Sequence, residues 1–130
     1  MQALLAFEQG PPVAVPARFF LTAPLYLVLA GVLLAFEGQA VFASRWTPTA
    51  LALTHLLTLG FMLQIMLGAL IQILPVVAGA HLPQPRLLAA VVHPVLNLGV
   101  LSLALGFLQG ASTWMYAAAV FLVIALGVFF

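Results

Sequence analysis

Polar residues gather in three short clusters along the chain, and between them run four apolar stretches, each about as long as a bilayer crossing. A spanning helix needs about 20 predominantly apolar residues, each rising about 1.5 Å. The pattern therefore predicts an all-α membrane protein, a bundle of about four transmembrane helices over residues 17–42, 50–74, 87–108 and 114–130. Residues 1–16 read as an irregular lead-in, because Gly10-Pro11-Pro12 and Pro16 interrupt any helix there. Residues 17–130 read as a single transmembrane domain.

The intervening clusters have turn chemistry. Ser44-Arg45-Trp46-Thr47-Pro48-Thr49 offers a headgroup-level indole and a threonine to cap the next helix. The second cluster holds Gly79, His81, Pro83, Pro85 and Arg86, and Pro75 marks the expected end of the helix before it. Gln109-Gly110-Ala111-Ser112-Thr113 forms the third. The last apolar run reaches Phe130 without a polar residue, which reads as a fragment or truncated product of a longer protein.

Composition narrows the function classes. The chain is 66% hydrophobic and 4% charged, where soluble domains carry roughly 25% charged residues. The charged residues are Glu8, Arg18, Glu37, Arg45 and Arg86, so no basic surface exists for nucleic acid. With no cysteine, disulfides and thiolate chemistry are excluded. Placing the N-terminus in the cytoplasm puts Arg18 and Arg86 inside and Arg45 outside, the sense of the positive-inside rule. Glu37 reads as an interfacial acid that could pair with Arg45. No phosphate loop, carboxylate pair or serine-histidine-acid set appears.

The second run is the most informative, because it carries His55, Thr58, Gln64 and Gln72 at membrane depth, where polar side chains are costly. At about 100° per residue it has two special faces. Gly60, Gln64 and Gly68 form a small-polar-small seam, suited to close helix packing with a hydrogen bond across it. Opposite them, His55 leads a face with Thr58, Met62 and Met66. An imidazole above soft apolar side chains meets the needs of an axial haem ligand. Residue type and position favour a bundle or interfacial histidine for His55, and leave the ligand role open. His93 precedes Pro94, and Asn97 one turn on shares its face and could orient it. Antiparallel helices put His55 and His93 near opposite membrane faces, more than about 10 Å apart in depth, so they make a poor haem clamp. His81 reads as a loop histidine.

His55, Gly60-Phe61, Gly68, Pro75 and Gly79 in this spacing resemble the second transmembrane helix of NnrS-like proteins. These belong to the wider group with a haem-copper oxidase subunit I-like fold. The resemblance covers about 25 residues well and the flanking helices in outline. It implies that His55, near the outer end of helix two, is an axial haem ligand; Met62 and Met66, which share its face on the helical wheel, would then line the cofactor. It also implies a fold of about twelve helices, with the second haem ligand and any copper-binding histidines in a later part. On this reading the chain lies in a bacterial inner membrane. It acts in respiratory or nitric-oxide-related electron transfer together with missing C-terminal helices, another subunit or further copies of itself. The rival reading is a cofactor-free packing or assembly subunit that uses the Gly60-Gln64-Gly68 contact. A transporter using Gln64, Gln72, Asn97 and His93 as a polar path lacks a charged pathway residue to support it.

Overall fold

The computed structural model describes residues 10–80 and 82–130; part of the N-terminal lead-in and His81 lie outside it. Among the described residues, four helices are long and apolar enough to cross a membrane, and no strand forms. We label them α1 (Ala14–Ala43), α2 (Pro48–Ala78), α3 (Pro85–Gln109) and α4 (Ser112–Phe129). Helices α1, α2 and α3 pack on one another, and α4 lies along the outside of α3.

Helix α1 begins three residues earlier than the prolines suggested. Pro16 falls in its first turn, where a helix needs no backbone donor, so the ring fits without loss. Pro24 lies inside the helix and is accommodated. Phe19, Ala23, Tyr26 and Ala30 form its buried stripe, while Leu21, Leu25 and Val28 face outward. The α-helical part stops at Glu37, because Gly38 takes φ 59°, and a single 3₁₀ stretch, Gly38–Ala43, leads to the turn.

Helix α2 starts at a Thr47 cap whose hydroxyl accepts the Ala50 N–H at 3.2 Å, with Pro48 in the first helical position. It does not stop at Pro75. That residue is buried inside the helix, which runs on to Ala78 and ends where Gly79 turns left-handed at φ 62°. A proline forfeits its own donor and weakens the turn before it, but a packed membrane helix tolerates both. The true stop is the glycine.

Between Leu56 and Met62 the helix is π rather than α. The reason lies in what must be buried. Ala52, Leu56, Gly60, Gln64 and Gly68 all face the bundle and recur every four residues. On a uniform α-helix such a row drifts about 40° per step, or about 160° over its length, and would wrap onto the lipid face. The wider π turns absorb the drift and keep the row inward.

Helices α3 and α4 form an antiparallel hairpin turned at Gly110, whose φ is 61°. Glycines set their approach: a Cβ on Gly99 would come within 2.9 Å of the Leu122 side chain, and one on Gly106 within 3.0 Å of Met115 Sδ. Ala118 and Ala125 are the fully buried residues of α4. Its other faces, with Val120, Val123 and Val128, remain exposed to lipid.

Candidate functional site

His55 closes the first α-helical segment of α2, immediately before the π turns. Its Nδ1 lies 2.7 Å from the Leu51 carbonyl oxygen. A carbonyl only accepts, so Nδ1 carries a proton, and in the neutral ring Nε2 is the bare nitrogen. The ring is steadied by Phe107 of α3, with centroids 4.9 Å apart and planes tilted by 33°. The result is a part-exposed imidazole held in one orientation near the Arg45 end of the bundle.

The methionines do not continue a uniform face with it. Met62 and Met66 are 54% and 56% exposed and look out toward lipid. Each π turn takes in one residue more than an α turn, so the residues after Leu56 are set back from where a 100° wheel places them. The single face expected for His55, Met62 and Met66 is broken there.

A second polar cluster occupies the middle of the bundle. Gln64 is fully buried, and its Nε2 donates to Asn97 Oδ1 at 3.0 Å. The Tyr26 hydroxyl donates to the same oxygen at 2.6 Å, so both of its lone pairs are used. Asn97 Nδ2 in turn donates to the His93 carbonyl at 2.6 Å. Asn97 therefore supports the His93 backbone; it does not orient the ring as its spacing suggested. The ring is held from α1 instead. Thr22 Oγ1 donates to the Arg18 carbonyl at 2.5 Å, and accepts from His93 Nε2–H at 2.7 Å. Phe19 packs edge-on against the same imidazole at 5.1 Å.

Tyr26, Gln64 and Asn97 lie near the centres of α1, α2 and α3, so this cluster falls at mid-depth of the spans. Thr22 and His93 are one turn nearer the Arg86 end. Toward the Arg45 end the core turns apolar, with Ala30, Leu56, Val100 and Ala104. The cluster ties three helices together and, on the Arg45 side, gives way to a packed apolar core.

The seam of α2 is used against α1. A Cβ on Gly60 would overlap the Tyr26 ring, so the backbone of α2 rests directly on that side chain. At Gly68 the corresponding distances are 3.1 Å to Phe19 Cβ and 3.1 Å to the Phe20 ring. Gln64 lies between the two close approaches and reaches past α1 to Asn97 on α3.

His55 and His93 are far apart. Phe107, the neighbour of His55, lies 14 positions after His93 on α3, about 21 Å along the axis at about 1.5 Å per residue. Among the described residues, no group of three or more histidines, cysteines and carboxylates converges as a metal site. Glu37 and Arg45 form no salt bridge; the guanidinium instead stacks over the Trp46 ring, 5.2 Å from its centroid.

Sequence reasoning missed Tyr26 and Thr22, the α1 half of the mid-depth cluster. The available signal was a tyrosine in the middle of an apolar run, away from the interfacial depth where tyrosines usually lie. Comparison with known proteins adds no family: no family model, curated protein or solved structure matches this chain.

Proposed function

We propose that the chain is a haem-bearing membrane unit of respiratory or nitric-oxide-related electron transfer, with His55 as one axial ligand. The observation that carries this reading is the tethered imidazole. Its Nδ1 is committed to the Leu51 carbonyl, which leaves Nε2 available to iron, the arrangement by which proteins usually fix a metal-binding histidine. The adjoining π segment supports it, since such interruptions often mark functional positions. When bound, haem supplies a one-electron centre at its iron. The chain's own part is to hold the imidazole, orient it against Phe107, and keep it in an apolar setting.

His93 is too distant along the bundle to be the second ligand. That ligand comes from another subunit, a second copy, or helices of a longer protein. With the N-terminus cytoplasmic in a bacterial inner membrane, His55 lies toward the outer face. The test is a spectrophotometric titration of purified protein with haemin. Wild type should saturate with a shifted Soret band, and His55→Ala should not.

A cofactor-free packing unit is the second reading. It is favoured by the Tyr26–Asn97–Gln64 cluster and the Gly60 contact, which build a rigid three-helix core without any ligand. It predicts that Gly60→Leu disrupts the protein while His55→Ala leaves every property unchanged.

A further inference from the structure

At the Arg45 end, α1 and α2 splay apart and leave a cleft of about 620 Å³ between them. Leu27 and Gly31 of α1 and Leu53 and Leu57 of α2 line its walls, and Ser44 and Arg45 stand at its mouth. Leu27 is ten positions before the end of the α-helical part of α1 at Glu37, so the cleft reaches about 15 Å inward at about 1.5 Å per residue. That is half of a hydrocarbon core about 30 Å thick, the depth of one leaflet. The side facing the membrane is open, since Leu27, Gly31 and Leu34 are exposed there.

We propose that this cleft binds one anionic phospholipid, its acyl chain between α1 and α2 and its phosphate on Arg45. The inference is independent of the haem reading. Three features select this occupant. The walls are apolar over one leaflet's depth, which suits an acyl chain. Among the described residues that line it, Arg45 is the one charged residue; its guanidinium stacks on Trp46 at the level where headgroups lie and makes no salt bridge with Glu37 at the end of α1. The Ser44 hydroxyl oxygen accepts from the Trp46 N–H at 3.2 Å, which leaves its own proton free to donate to a phosphate oxygen. The cleft has room at Gly31, where a Cβ meets nothing within 4 Å.

The test uses Trp46 as the reporter. The chain has two tryptophans, so Trp114→Phe leaves Trp46 alone. This variant is placed in phosphatidylcholine vesicles containing brominated phosphatidylglycerol or brominated phosphatidylcholine, and the quenching of Trp46 is followed against mole fraction. The anionic lipid should show a saturable component at a mole fraction about fivefold lower than the zwitterionic one, as expected for one arginine at the surface. Arg45→Gln should abolish that preference and Arg45→Lys should keep most of it. Gly31→Phe places a ring in the cleft from a position whose Cβ has nothing within 4 Å, and should remove the saturable component for both lipids. Identical curves for the two lipids, a preference that survives Arg45→Gln, or saturable quenching that survives Gly31→Phe would each overturn the proposal.

Discussion

The Tyr26 hydroxyl donates to Asn97 Oδ1 at 2.6 Å across the middle of the bundle, and Gln64 of α2 donates to the same oxygen. One amide oxygen thus holds donors from two other helices at a depth where water does not compete. The substitutions here should rank unequally. Tyr26→Phe loses one bond and leaves Asn97 still partnered by Gln64. It should cost about 0.6 kcal/mol, the average for interhelical hydrogen bonds in membranes. Asn97→Leu strands both donors and should cost about 1–3 kcal/mol. Reversible unfolding in mixed micelles measures both. A larger loss for Tyr26→Phe than for Asn97→Leu would show that Asn97 is not the hub.

Glycines at two positions should respond oppositely to the same methyl group. At Gly60 the added Cβ would meet Tyr26 Cβ at 2.9 Å and its ring closer still, so the helices must separate. Gly60→Ala should destabilise by about 1–3 kcal/mol, the range for overpacking. At Gly31 nothing lies within 4 Å, and alanine should stabilise the helix by up to about 1 kcal/mol. Thermal melts of the two variants, monitored by circular dichroism, give the comparison. Equal effects would contradict the packing described.

The start of α2 depends on Thr47, which caps the Ala50 N–H and donates to the Val41 carbonyl at 3.4 Å. Thr47→Ala should cost about 1 kcal/mol and Thr47→Ser nearly nothing. Hydrogen exchange at Ala50 and Leu51 should accelerate in the alanine variant alone.

Much of this architecture was legible from residue pattern, and some was not. The four spans follow from apolar run length, which the bilayer dictates and the bundle does not alter. Ends marked by proline were misleading at Pro16 and Pro75, because a first-turn position or a packed membrane helix absorbs the missing donor; Gly38, Gly79 and Gly110 set the true ends. The π segment was hidden by the assumption of a constant 100° step. The inward row at Ala52, Leu56, Gly60 and Gln64, spaced by four, is the clue a uniform wheel discards. The meeting of Tyr26, Gln64 and Asn97 depends on the relative heights of three helices, which no single run encodes. For His55 the residue type raised the ligand role, while the Leu51 bond that fixes its tautomer needed coordinates.

The central claim is that His55 presents Nε2 to a haem iron. The most direct measurement is the absorption spectrum of protein purified from its native membranes in three forms: wild type, His55→Ala and His93→Ala. The account predicts a Soret band in wild type and His93→Ala, lost or strongly shifted in His55→Ala, because His93 is engaged by Thr22 and far from His55. A Soret band unchanged by His55→Ala, or no haem in wild type purified with all its native partners, would contradict it.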